Sequence, residues 1–319
     1  MPSISIILPV YNGARYLEQS LNSIREQQYD LNDIEIIATD DNSSDSSPLI
    51  LAEATRDLPL TVIPGAGTGN WVASTNRALS RASGNFICFL HQDDRFKRDK
   101  IRKLLSAAKL YPDVDVFAHP VDFINSSGRR IGKWKFPARP RLYTPPQWFC
   151  PLLVQNNLAV PGVMFRRSLL RQTGMLDESL RYTADWDYWL KLATRHDLVL
   201  LSACLAEYRI HNEAQTVHFA DKQVEYAENL YRVLSRHIGT LNTYNDKNNS
   251  KYRIMAKLGV RTNIWLASRI TDKPQPVSSL LRAFRTAGLR RGLDYLHLSR
   301  VGSRVLSRLK AKIHSLQVN

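Results

Sequence analysis

The side chains best suited to chemistry in this chain are aspartates, and they fall in three clusters: Asp40-Asp41, Asp93-Asp94 and Asp185-Trp186-Asp187. Each lies where a hydrophobic run or a short connection ends. A carboxylate at a strand end can accept a hydrogen bond from the ring N–H of a pyrimidine. Asp40 is the nearer of its pair to the strand, with Asp41 bracing the loop. The same stretch, Asp40 to Asp45, equally reads as a helix-capping Asp/Ser turn. Mg2+ and Mn2+ prefer oxygen ligands, often one or two carboxylates together with a substrate's phosphates. Asp93 is the first candidate ligand, with Asp94 supporting it or touching a sugar. The alternative for this pair is to start the next helix through its dipole. Asp185 stands at a helix start beside rings that can stack on sugars, which suits a general base taking a proton from a hydroxyl. Its cluster also reads as an N-cap with core aromatics.

Tyr208-Arg209-Ile210-His211 adds cationic groups. Arg209 suits holding a diphosphate, and His211 suits completing a metal shell. Gly65 to Asn70 follows a strand and precedes a helix. It is not a dinucleotide fingerprint, because Asn70 stands where the last glycine is needed and the loop follows the third strand. It reads as a flexible loop near a nucleotide, with Asn70 in contact. The chain has no G-x-x-x-x-G-K-[ST], H-E-x-x-H or G-x-S-x-G.

The elements that must position these groups alternate. Strands are predicted at 3–10, 34–39, 60–63, 85–90 and 114–118, with helices at 17–24, near 49–54, at 71–82 and at 97–110. This order predicts an α/β fold with a mainly parallel sheet and helices on both faces. Ligands in such sheets sit beyond the carboxyl ends of the strands, where Asp40-Asp41 and Asp93-Asp94 fall. Further on, residues 129–141 predict a short hairpin and a Pro-rich loop, 158–165 and 198–204 strands, and 185–195 a helix. Past residue 220 the pattern is mostly helical, which divides the chain into a catalytic part, 1–215, and a helical part, 216–319.

Composition narrows the classes. A chain of 319 residues with 44% hydrophobic content can bury a sizeable core. Its three cysteines lie far apart with no Cys-x-x-Cys, against a disulfide scaffold or a zinc knuckle and in favour of a reducing compartment. No apolar run reaches the ~18 residues a membrane span needs. The N-terminus has no basic segment, so no signal peptide is expected. The net charge is +15, and most of it falls after residue 220, where 19 Lys/Arg face 6 Asp/Glu. Residues 279–316 interleave Leu281, Phe284, Leu289, Leu293 and Leu296 with Arg282, Arg285, Arg290 and Arg291. That cationic amphipathic pattern suits an anionic membrane surface, and its alternative is a helix packed on the catalytic part.

In their order along the chain these motifs resemble the inverting family 2 glycosyltransferases of GT-A fold. Ile6-Ile7-Leu8-Pro9-Val10-Tyr11-Asn12 resembles that family's first strand and nucleotide-binding turn. Asp40-Asp41-Asn42-Ser43-Ser44-Asp45 is similar to its D-D-x-S-x-D. Ala73, Asn76, Ala78 and Ala82-Ser83-Gly84 resemble its A-x-N helix. Leu90 to Asp94 occupies the D-x-D position, with His91 in place of the first Asp. Gly174 to Glu178 followed by Asp185 resembles the acceptor-side stretch ending in E-D, with Ala184 in place of the Glu. Tyr208 to His211 is similar to its Y-R-x-H.

The resemblance implies transfer from a nucleoside-diphosphate sugar, assisted by Mg2+ or Mn2+, to a glycan or lipid-linked acceptor. It implies Asp40, Pro9, Tyr11 and Asn12 on the nucleotide, Asp93 on the metal and Asp185 as the base. A cytoplasmic enzyme peripheral to the inner face of a membrane is the matching expectation. Residues 129–148 are the expected source of acceptor choice. The rival, a non-catalytic membrane- or nucleic-acid-binding protein on the same scaffold, accounts for the charge but not for the ordered acids. Nucleic acid is therefore not an expected partner.

Overall fold

The computed structural model describes residues 2–211, 222–244, 246–269, 274–303, 305–307 and 310. The expected boundary at 215–216 lies outside the described residues, as do Arg304, Arg308, Leu309, Lys312 and Ile313 of the basic segment.

Strand β1 (Ile4–Val10) is buried along its whole length. A run of this apolar content is what a strand covered on both faces requires. It is followed by α1 (Ala14–Arg25), β2 (Ile34–Asp40), α2 (Ser47–Ala54), β3 (Leu60–Pro64), α3 (Trp71–Leu79) and β4 (Phe86–Phe89). β1 lies between β2 and β4 and is parallel to both. β3 pairs outside β2. Its edge position suits its residues: Thr61 and Val62 are exposed, and Pro64, with no N–H to donate, closes it.

The chain continues through β5 (Arg95–Phe96), α4 (Lys100–Leu110), β6 (Val116–Ala118), β7 (Val121–Ile124), β8 (Arg130–Trp134), β9 (Arg141–Tyr143), α5 (Pro145–Val154), β10 (Val163–Arg166), α6 (Leu170–Thr173), α7 (Ala184–Ala193), β11 (Leu198–Leu200) and β12 (Ala206–Arg209). The large sheet has the order β3-β2-β1-β4-β10-β6-β11-β9. Only β10 and β9 run against their neighbours. The α/β fold with a mainly parallel sheet is therefore the one observed. A second sheet, β5-β12-β7-β8, stands apart from it.

Several elements differ from the sequence reading. The strand expected at 158–165 begins only at Val163, because Pro161 sits in a 3-10 turn, Val160–Gly162, and cannot donate to a ladder. The strand expected at 198–204 ends at Leu200. The hairpin expected at 129–141 is divided. β8 pairs with β7, while β9 joins the large sheet beside β11. The helix expected from 97 starts at Lys100, since Arg95-Phe96 pairs with β12.

The C-terminal part supplies α8 (Gln223–His237), α9 (Asn249–Ser268), α10 (Val277–Ala287) and α11 (Leu289–Ser299). Leu230, Val233, Ala256 and Val260 share one buried cluster with Trp148 of α5 and Trp186 and Trp189 of α7. α8 and α9 thus complete the core of the sheet domain. The approach of α9 to α5 needs a glycine: a Cβ on Gly259 would lie 2.2 Å from the Val154 carbonyl oxygen.

A buried charge cluster fastens α8 to α7. Asp187 is fully buried and accepts from Arg236 Nη1 at 2.9 Å. It also bonds His237 Nε2 at 2.8 Å and pairs with Lys191 Nζ at 2.9 Å. Burial opposes its charge, but His237 and Lys191 outweigh it and hold the pKa near 2. A pKa below the usual 3.8 means the cluster stabilises the fold at neutral pH and loses its contribution as pH falls towards 2. Asp187→Ala is expected to cost about 3 kcal/mol at pH 7 by stranding its buried partners. Urea unfolding measures this, and a loss confined to a few tenths would contradict it.

Candidate active site

The carboxyl ends of β2, β1 and β4 open on one side of the sheet. The turn after β1 carries Asn12 in the left-handed region, φ 48°, which asparagine tolerates. Gln92 fixes it: its side chain accepts from Tyr11 N at 2.7 Å and donates to Tyr11 O at 3.0 Å. The Asp/Ser turn after β2 does the rest. Asn12 N donates to Ser43 Oγ (2.9 Å), Gly13 N to Ser47 Oγ (2.8 Å) and Ala14 N to Asp45 Oδ2 (2.9 Å). α1 has no side-chain cap of its own. The turn therefore supplies acceptors for the free N–H groups at the start of a helix distant in sequence.

Asp41 is buried and accepts from Gly67 N at 2.8 Å and Gly69 N at 2.7 Å, two glycines held at φ 68° and 62°. Asp40 accepts from Ser43 N at 3.4 Å, and its Oδ1 is buried with no partner among the described residues. Asn70 caps α3 by accepting from Val72 N at 3.1 Å, and it donates to the Glu178 carbonyl at 3.0 Å. The glycine loop is thus tied at both ends.

The acidic turn after β4 is held by the second sheet. β12 runs antiparallel to β5, with Ala206 opposite Phe96 and Glu207 opposite Arg95. Extending that register brings Arg209 to the acids. Arg209 N donates to Asp94 Oδ1 at 2.9 Å, and Arg209 Nε donates to the Asp93 carbonyl at 2.8 Å. The rest of the guanidinium donates to the Asn125 and Ser126 carbonyls and to Gln19 Oε1. Two residues on, His211 Nε2 lies 2.9 Å from Asp93 Oδ2.

The two neighbouring carboxyls are driven apart. Burial works against charge on Asp93, but the His211 hydrogen bond and the charges of His91 and His211 bring its pKa below the usual value. Asp94 is pushed well up, first by burial and then by the charge of Asp93. Burial also lowers the pKa of His91 and favours its neutral ring.

His91, Asp93 and Asp94 present ligand atoms within 4.8 Å of one another. His91 Nε2 and Asp94 Oδ2 are buried without a partner among the described residues. Buried ligand atoms without a protein partner, close together and beside a charged carboxylate, fit a divalent cation.

Asp185 enters from the other side, at the first turn of α7. Its Oδ2 accepts from Asn156 Nδ2 and its Oδ1 from Trp186 N, both at 2.8 Å. Burial dominates over these bonds and raises its pKa to about 6. The loop that carries Asn156 is itself held from α9, where Asn263 Nδ2 donates to Gln155 Oε1 at 3.1 Å.

A cleft of about 600 Å³ joins these groups. Of the residues singled out from sequence, Pro9, Tyr11, Asn12, Asp93, Asp185 and His211 line it. Asp40, Asn70, Asp94 and Arg209 stand behind its wall, and the donors of Arg209 are turned to protein acceptors. Asp41 and His91 line the cleft in addition, as do Asn156 and, from the C-terminal helices, Tyr226, Leu230 and Asn263. His91 was legible in principle, since a ligand-type side chain two before Asp93 fits the motif. The contacts of Asn156 and the C-terminal helices carry no local signal.

The family model described as Glycosyl transferase family 2 matches residues 5–174. An uncharacterised glycosyltransferase of Rickettsia typhi is 27% identical over 243 residues, 72% of this chain and 70% of the relative. The putative teichuronic acid biosynthesis glycosyltransferase TuaG of Bacillus subtilis is 28% identical over 225 residues, 67% of this chain and 81% of the relative. Among solved structures, S. aureus TarS 1-349 in complex with UDP-GlcNAc superposes with a TM-score of 0.60 at 17% identity, covering 90% of each chain. The mannosyltransferase PcManGT of Pyrobaculum calidifontis, in complex with GDP-Man and Mn2+, gives 0.55 at 15%, covering 97% of this chain and 87% of that one.

The raised pKa of Asp185 has a consequence for stability. Its folded pKa, about 6, exceeds the usual 3.8. Its contribution to folding is therefore fully present below about pH 4 and is lost as pH rises through 6. Asp185→Asn is expected to raise the thermal midpoint above that of the parent at pH 8, with the difference closing at pH 4. A lower midpoint at pH 8 would contradict this.

Proposed function

The chain belongs to glycosyl transferase family 2 and is a glycosyltransferase, and from that premise we propose that it moves one sugar from a nucleoside-diphosphate sugar to a hydroxyl of a glycan or lipid-linked acceptor, inverting the anomeric carbon. The observation that carries this reading is the meeting of Asp93, His211 and Asp185 on one cleft at the carboxyl ends of the strands. The fold is the GT-A arrangement of its structural neighbours. Those neighbours were solved with UDP-GlcNAc and GDP-Man, which supports a nucleoside-diphosphate donor. The teichuronic acid role in the name of TuaG supports an envelope polysaccharide as the acceptor's destination.

The nucleotide lies along Pro9, Tyr11 and Asn12, and Asp40, whose Oδ1 has no partner among the described residues, becomes the acceptor for a base N–H once its side chain turns into the cleft. Asp41 holds the glycine loop over it. His91, Asp93 and Asp94 would hold the divalent cation, and Mn2+ suits a set with an imidazole nitrogen better than Mg2+ does. When bound, the cation neutralises charge on the departing diphosphate. His211 keeps Asp93 ionised and oriented, and Arg209 acts through the backbone of the acidic turn rather than on the donor.

Asp185 takes the proton of the acceptor hydroxyl as that oxygen attacks the anomeric carbon. A base with a pKa near 6 is largely ionised at neutral pH and still basic enough to accept a proton. Asn156 keeps one carboxylate oxygen in place during the transfer. The acceptor approaches past Tyr182, Tyr226 and Trp134, whose rings offer faces to a sugar.

A thermal-shift panel of nucleotide sugars with Mn2+ identifies the donor. With that donor, Asp185→Asn is expected to lower turnover by roughly 10²–10⁴-fold while calorimetric donor binding is unchanged. Turnover equal to the parent's would reject Asp185 as the base.

A further inference from the structure

The C-terminal helices end in a surface that the sugar-transfer site does not use. α10 and α11 form a hairpin around Gly288, which is held at φ 84°. Its inner side is closed: Ala283, Ala287 and Tyr295 are buried with Met255 and Leu258 of α9. The approach of the two helices is tight, since a Cβ on Gly292 would lie 3.0 Å from the Phe284 ring.

The outer side is apolar where a solvated helix should be polar. Leu281 is 64% exposed, Leu289 83%, Leu293 59% and Leu296 43%. Leu289, Leu293 and Leu296 follow the i, i+4, i+7 spacing of one helix face. Arg282, Arg285, Arg290 and Arg291 are exposed around them. Asp294 is the single acid in residues 277–303, and it is paired with Lys251 of α9 at 2.8 Å. The outer face therefore combines unpaired apolar side chains with cations and no free acid.

We propose that this α10–α11 face docks on an anionic lipid bilayer, with the leucines in the headgroup–acyl boundary and the arginines on lipid phosphates. Charge complementarity chooses the occupant. A second copy of the chain would bring the same arginines against one another, whereas an anionic bilayer takes up both the leucines and the cations. No helix among the described residues is long and apolar enough to cross a membrane, so the contact is peripheral.

The segment after α11 returns to the second sheet. Ser307 is buried, and its Oγ would meet a Cβ placed on Gly132 of β8. Trp134, two residues further along the same face of β8, lines the cleft. The segment after α11 therefore adjoins one wall of the site. This adds a lipid surface to the proposed sugar transfer, but the docking itself does not rest on that chemistry.

The test is flotation of the full-length chain with vesicles of phosphatidylcholine alone and with phosphatidylglycerol added. Binding is expected only to the anionic vesicles and is expected to weaken with salt. Leu289→Glu with Leu293→Glu should reduce it about tenfold or more, and Arg290→Glu with Arg291→Glu should do the same. Both sites are exposed, and unchanged thermal midpoints and donor binding would separate lost docking from lost fold or a failed transfer reading. Absence of flotation, equal binding to neutral vesicles, or undiminished binding by both variants would overturn the proposal. So would a parent chain that sediments as a dimer and becomes a monomer on Leu289→Glu.

Discussion

The site depends on how Arg209 and His211 seize a turn more than a hundred residues away. Two adjacent carboxyls, the partly exposed Asp93 and the buried Asp94, sit at the end of a strand and repel each other. Such a pair is stable only if one is stripped of its charge or both meet positive charge. The β5–β12 ladder supplies the geometry for that. It sets the Arg209 amide on Asp94, the guanidinium on the Asp93 carbonyl and the His211 ring on the Asp93 carboxylate. The short second sheet, whose first strand begins six residues after the end of β4, is the clamp that holds the acidic turn of the large sheet.

A second contrast lies within one turn of α7. Asp185 and Asp187 differ by two positions, about 200° around a helix. One therefore faces the cleft and the other the packed side. Asp187 meets His237, Arg236 and Lys191, and its pKa falls to about 2. Among the described residues Asp185 meets neutral donors rather than cations, and burial takes it to about 6. The same residue type serves as an anchor in one place and as the proposed base in the other. The anchor stabilises the fold at neutral pH, whereas ionised Asp185 costs stability there. α8, fastened by the anchor, also walls the cleft through Tyr226 and Leu230, so the C-terminal helices support the site as well as the core.

Much of this was legible from local pattern. β1, β2 and β4 announce themselves as apolar runs ending in polar turns, and sheet topology then brings Asp93 to one cleft with the helix-borne Asp185. What depends on distant pairing was not legible. The guanidinium of Arg209 reads as a phosphate ligand until four protein acceptors are found around it. Asn70 reads as a nucleotide contact until its cap on α3 and its bond to Glu178 are seen. Of Asp40 and Asp41, proximity to the strand favours Asp40, and Asp41 lines the cleft as well, with its carboxylate on the glycine loop. Pro161 shortened a strand that hydrophobicity alone had extended. The Asp/Ser turn serves as a cap as well, on the helix after β1 rather than only its own.

The central claim is that carboxylates remote in sequence surround a single diphosphate and its cation. Anomalous diffraction from a crystal grown with Mn2+ and the cognate nucleoside diphosphate tests it most directly. The account predicts one strong peak among His91, Asp93 and Asp94, with the diphosphate between that ion and the strand ends and Asp185 facing it across the cleft. A peak elsewhere, or a diphosphate bound away from Asp93, would contradict it.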